Sequence, residues 1–156
     1  MKQLLAAAGL LISFQVLSIQ GSAQSAGTKP AVVVNHLAWH VTNLQTSTQF
    51  YLKIVGLDTI PEPFHDGKHT WFSMGNGSHL HLIEAPGTPV IPGKSTHLCF
   101  SVKDVNAFVA VLKTNKVSWE DWPGTPFAIT TRVDGVHQVY LKDPDGYWLE
   151  INDATH

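Results

Sequence analysis

The feature that most constrains this chain is an internal repeat. His36-Leu37-Ala38-Trp39-His40-Val41-Thr42-Asn43-Leu44 is matched by His97-Leu98-Cys99-Phe100-Ser101-Val102-Lys103-Asp104-Val105. Each copy opens with His-Leu, a small residue and an aromatic, then reaches Val and Asn or Asp. A second match closes each half: Asn76-Gly77-Ser78-His79-Leu80-His81-Leu82 against Asp145-Gly146-Tyr147-Trp148-Leu149-Glu150-Ile151. Similarity at both ends of both halves marks a duplicated supersecondary unit.

Within each copy the period changes from two to that of a helix. Alternating residues at the start predict a strand, and Asn43 or Asp104 then stands as a cap before a helical pattern, Ser47 to Val55 in one half and Val105 to Lys113 in the other. The Asn76-Gly77 and Asp145-Gly146 turns feed a closing strand. Between helix and closing strand there is room for two short strands: near Asp58 to Ile60 and His69 to Ser73, then near Ser118 and Gln138 to Leu141. The expected fold class is therefore α+β, with tandem βαβββ modules at 32–85 and 94–154 and about eight strands in a single domain at 32–154. Pro86 to Pro92, with three prolines and a glycine, is the linker.

Met1-Lys2, the apolar run Leu4 to Ile19 and the small residues Gly21-Ser22-Ala23 read as a secretory signal peptide at 1–23, with a leader at 24–31. The run is broken by Ser13, Gln15 and Ser18 and is short for a membrane span. The expected location is periplasmic or secreted, with no membrane attachment after cleavage. The net charge is −2, and −3 once Lys2 is removed. Without a basic stripe, nucleic acid is excluded as a partner class. One cysteine, Cys99, allows no internal disulfide; flanked by Leu98 and Phe100, it is expected to be a buried small hydrophobe.

The repeat places His36 and His97 at equivalent opening positions, and His81 and Glu150 at equivalent closing positions. Imidazole and carboxylate suit zinc, nickel, iron or manganese. Strand alternation sets His36 and Ala38 against Leu37, Trp39 and Val41, sets His97, Cys99 and Ser101 against Leu98, Phe100 and Val102, and sets Glu150 against Leu149 and Ile151. All four candidates thus project from the face that does not pack under the helices. His40, His65, His69, His137 and His156 are expected to be surface or satisfied core residues, while His79 shares a face with His81. Trp39, Trp71, Trp119, Trp122 and Trp148 are expected in the core or at a dimer surface, with Trp119 and Trp122 near enough to Pro123-Gly124 to wall a substrate site.

At these residues the chain resembles the vicinal oxygen chelate superfamily, which includes glyoxalase I, methylmalonyl-CoA epimerase, fosfomycin-resistance thiol transferases, extradiol dioxygenases and bleomycin-binding proteins. The resemblance rests on His36 through Tyr51, with Phe50-Tyr51 and Val55-Gly56-Leu57, and on Asp143-Pro144-Asp145-Gly146-Tyr147-Trp148-Leu149-Glu150, which looks especially like a glyoxalase I ending. It implies a curled eight-stranded mixed sheet around a metal cleft. His36, His81, His97 and Glu150 would hold a divalent ion, and two coordination positions would stay open for adjacent oxygens of a small substrate. His81 stands where glyoxalase I carries Glu, which leaves Glu150 for proton abstraction. The implied function is a glyoxalase I-like lyase or isomerase with Glu150 as catalytic base. The alternatives are an extradiol-type dioxygenase using His36, His97 and Glu150 around iron(II), and a non-catalytic binding protein. Arg132, the single arginine, lies two residues before the Asp134-Gly135 turn and is a candidate for holding a substrate carboxylate or phosphate. The expected partner is a small molecule, and homodimerisation is left open.

Overall fold

The computed structural model describes residues 31–155, and from Val33 on the chain forms one compact unit. The expected signal peptide and all but the last residue of the leader lie outside the described residues. Among those described, no helix is long and apolar enough to cross a membrane.

The first module runs β1 (His36–Val41), α1 (Leu44–Phe50), β2 (Thr59–Ile60), β3 (His69–Ser73) and β4 (His79–Glu84). The second runs β5 (Leu98–Ser101), α2 (Val105–Thr114), β6 (Trp119–Glu120), β7 (Thr130–Thr131), β8 (His137–Lys142) and β9 (Trp148–Asn152). The strand orders are β1-β4-β3-β2 and β5-β9-β8-β6, with the opening and closing strands parallel in each and β7 added against β8. The repeat is thus a repeat of topology. Among the described residues the strands form two hydrogen-bonded sheets, one per module, and β7 raises the expected eight to nine.

Both predicted caps hold. Asn43 Oδ1 accepts from Thr46 N at 2.8 Å, and Asp104 Oδ1 accepts from Asn106 N at 2.7 Å. The first helix accordingly begins at Leu44, ahead of the expected Ser47, because the cap starts the helix at the next residue. It then widens into a π-helical turn, Tyr51–Val55, which ends at Gly56 with φ +83°. That left-handed conformation is cheap only without a Cβ, and the Gly56 and Leu57 amides both return to the Tyr51 carbonyl.

The two helices attach to their sheets differently. α2 buries Val105, Phe108, Val109 and Leu112. Their spacing makes one apolar stripe, and each such burial contributes about 1.5–3 kcal/mol. α1 itself buries only Ser47, while the π-helical turn buries Tyr51 and Ile54. Within its own module Leu44 N donates to Glu84 and Thr48 Oγ1 to Thr70, and further polar contacts of this segment cross to the Asp143–Tyr147 turn of the other module. Asp145 accepts from Thr42 N, from Thr42 Oγ1 and from Ser47 Oγ at 2.6–2.8 Å. Asp143 accepts from the Tyr51 hydroxyl at 2.8 Å, and its other oxygen gathers the amides of Asp145, Gly146 and Tyr147. Tyr147 donates its hydroxyl to His40 O, and its ring stacks on Trp39 at 4.4 Å. Below this clamp a single apolar cluster joins Phe72, Leu80 and Leu82 of one sheet with Val139, Leu149 and Ile151 of the other.

Candidate metal centre

Strand register carries the repeat into the site. In the parallel pairs Ala38 lies beside His81 and Cys99 beside Glu150. The equivalence inferred from the repeat is therefore a structural one. His97 sits one residue ahead of β5, not within it. His36 and His81 come together with ring centroids 4.3 Å apart and nearly parallel. His97 and Glu150 come together at 3.1 Å between Nε2 and Oε2. The two pairs do not meet within the chain: among the described residues no group of three or more His, Cys, Asp or Glu is placed to hold a metal ion. Each lies on its own sheet.

Both opening histidines are oriented from behind. His97 Nδ1 is 2.8 Å from Lys94 O, which can only accept, so Nδ1 carries a proton and Nε2 is the nitrogen turned outward. His36 Nδ1 is likewise 2.6 Å from Asn35 Oδ1. Lys94 is itself anchored, its ammonium pairing with Glu120 and donating to Asp121 O and Trp122 O. An imidazole tied at Nδ1 thus aims Nε2 at the Glu150 carboxylate. That pair is stable only with a cation between the two or with the ring protonated. In the other module His81 Nε2 is buried without a hydrogen-bond partner. Burial, then the neighbouring His36 and His79, pull the His81 pKa down and keep the ring neutral. An orphaned lone-pair nitrogen and an imidazole facing a carboxylate both fit a borderline divalent ion.

Two aromatic residues that sequence reasoning missed complete the pattern. The strand after the helix-to-sheet loop presents Trp71 directly opposite His81, and its counterpart β8 presents Tyr140 opposite Glu150. Trp71 stacks on His81 at 3.8 Å and 2°. Tyr140 instead donates its hydroxyl to Glu150 Oε2 at 2.5 Å and receives Gln138 Nε2 at 2.9 Å. Asn152 Nδ2 donates to Glu150 Oε1 at 2.8 Å. Burial alone would raise the Glu150 carboxyl, but the bonds from Tyr140 and Asn152, with His97 nearby, outweigh it and hold the group below its usual range. Counting register along the repeat would have found both aromatics.

Cys99 corrects an expectation. It is exposed, on the face of His97 and Glu150, because the alternation that buries Leu98 and Phe100 turns it outward. Its sulfur accepts from Asn152 Nδ2 at 3.1 Å, and desolvation followed by the Glu150 charge pushes the thiol up to about 12. Arg132 pairs with Asp134 at 2.6 Å on the exposed β7–β8 turn, and its charge reaches Tyr140 and Cys99, where it opposes their upward shifts. Trp119 is in the core, while Trp122 is half exposed and packs edge-on against Tyr140.

Residues 33–151 match the sequence profile of the Glyoxalase/Bleomycin resistance protein/Dioxygenase superfamily. The chain is 30% identical over 129 residues to the uncharacterized protein YaeR of Escherichia coli, covering 76% of this chain and 93% of that one. It is 28% identical to the metallothiol transferase FosB of Staphylococcus epidermidis, over 78% and 82% of the two chains. Among solved structures, Oxidase ChaP-H1 superimposes with a TM-score of 0.63 at 27% identity, covering 80% of this chain and 98% of that one. With its duplicated βαβββ modules and this profile match, the chain belongs to the Glyoxalase/Bleomycin resistance protein/Dioxygenase superfamily.

Proposed function

We propose that this protein is a divalent-metal-dependent lyase or isomerase of the glyoxalase I type. Its metal would be held by His36 and His81 of one copy together with His97 and Glu150 of a second. The observation that carries this reading is the His97–Glu150 pair, a ring nitrogen facing a carboxylate across 3.1 Å with the other nitrogen already tied to Lys94 O. The pairs lie on separate sheets of one chain, and a twofold dimer would bring unlike pairs together twice, giving two identical sites. The relative FosB, a metallothiol transferase, supports metal dependence in this branch of the family.

A divalent ion bound there would polarise adjacent oxygens of a small substrate. The chain's own residues do the rest. Lys94 O and Asn35 fix the two opening imidazoles, and Tyr140 and Asn152 keep Glu150 ionised and in place. Those contacts make Glu150 a weaker base. Oε2 is engaged by Tyr140 and faces His97, which leaves Oε1, beside the Asn152 amide, to take a proton from substrate. Export belongs to the same proposal: mature protein from the native host is expected to begin near Gln24, and intact Met1 on cytosolic protein would overturn that part.

Mixing two dead variants tests the shared site. His36→Ala and Glu150→Ala homodimers should each bind metal poorly. In a mixed dimer one site collects both lesions and the other collects neither, so random mixing restores about a quarter of the wild-type sites. No restoration, with both variants folded and dimeric, would place all four ligands in one chain. Oxygen uptake with catechols by the iron(II)-loaded protein would instead point to the dioxygenase chemistry.

A further inference from the structure

The first module carries a cavity that adjoins the proposed metal ligands and extends beyond them. It measures about 510 Å³ and lies on the ligand side of the module's sheet, and Phe64, His69, Trp71 and His79 line it beside His36 and His81. Phe64 reaches it from the β2–β3 loop, where Glu62 accepts from the Phe64 and His65 amides at 2.6 and 2.8 Å and holds the loop's turn. The Phe64 ring packs on His69 at 4.6 Å and edge-on to Trp71 at 6.1 Å, yet 59% of the residue remains exposed. An aromatic so placed has a face open for stacking.

His69 is the polar element of this wall. Its Nδ1 is 2.8 Å from the Asp66 carboxylate, so that nitrogen carries the proton and Nε2 is the ring's acceptor. The residues lining the cavity include no Lys, Arg, Asp or Glu. In the metal-free chain a carboxylate or phosphate would meet no side-chain cation there, and a free ammonium would meet no side-chain anion. The volume is that of a small-molecule site.

We propose that this cavity binds a neutral, planar phenol, with the ring stacked on Phe64 and the hydroxyl donated to His69. The inference goes beyond the proposed function, because it names a ligand class for the cavity and not the substrate of the lyase or isomerase reaction, and it needs no metal to be tested. Metal-free, chelator-treated protein would be titrated with naphthol, naphthalene and naphthoate by calorimetry. Naphthol is expected to saturate one site per chain with a Kd below about 100 µM, a fair affinity for so small a ligand, and naphthoate to bind at least tenfold more weakly. Phe64→Ala, at an exposed position, should weaken naphthol and naphthalene alike by about three- to tenfold. His69→Phe should weaken naphthol while leaving naphthalene within about twofold. Naphthoate binding as tightly as naphthol, no saturable binding by folded protein, or naphthol affinity unchanged in both variants would overturn the proposal. Because the protein is metal-free throughout, a failure here leaves the shared metal site standing, and a failure of the mixing experiment leaves this cavity standing.

Discussion

The two modules share strand order, cap position and register, yet they solve two problems differently. In the first, the closing-strand donor is the neutral His81, and the aromatic opposite it, Trp71, offers it a flat face. In the second, the donor is the anionic Glu150, and Tyr140 offers a hydroxyl. A ring suits a ring and a donor suits a carboxylate, so duplication preserved positions while partners followed the charge of the residue they face. Anchoring divides in the same way. α2 is held by an apolar stripe, whereas the α1 segment adds hydroxyls of Ser47 and Tyr51 that reach the Asp143–Tyr147 turn of the other module.

The largest break in this comparison should come from the core. Leu112→Ala is expected to destabilise by about 3 kcal/mol through the cavity it leaves, against about 1 kcal/mol for Ser47→Ala, which loses one hydrogen bond to a carboxylate. Equal losses in urea unfolding would mean that the helices are held alike. At the metal pairs, Glu150→Gln should cost about a hundredfold in metal affinity and Tyr140→Phe about tenfold, a loss typical of removing an outer partner. A chelator-competition titration showing no change for Glu150→Gln would remove the second module from the site.

A smaller contrast lies in acid. Glu150 is held below its ordinary value of 4.5, so its contribution is complete above that pH and is lost as pH falls through the lowered value. Asp143 is shifted the other way. Burial outweighs its bonds to Tyr51 and the turn amides, so it costs stability while ionised, and that cost fades as pH falls through its raised value. In metal-free protein, Glu150→Gln should therefore lose less stability than wild type on acidification, and Asp143→Asn should lose more. Parallel pH profiles for all three would show that neither carboxyl couples to folding. The least effect is expected at Arg132→Ala, under about 0.5 kcal/mol, because its pair with Asp134 is solvent-exposed.

Much of this was legible in the sequence because repeat and alternation are local signals. The caps at Asn43 and Asp104, the helices that follow and the outward faces of His36, His81, His97 and Glu150 needed only neighbouring residues. The octet from Asp143 to Glu150 was legible as a motif but not in its division of labour. Its first half clamps Thr42, Ser47 and Tyr51, partners about a hundred residues away that no local pattern announces, and only its last residue reaches the site. Cys99 was misread because its flanking residues suggested burial, although the same alternation that faced His97 outward applied to it. The separation of the two pairs depends on how the sheets pack, and residue spacing carries no record of that.

Among the described residues the sheets share no strand pairing: every ladder closes within one module, and the linker from Pro86 to Pro92 belongs to neither. A chain cut in that linker would keep all of its ladders, and what joins the halves would be the apolar cluster and one turn. Such a protein can be divided into two separately encoded pieces that find each other again, or restrung with the second half first, because the order of the halves along the chain is not what holds them.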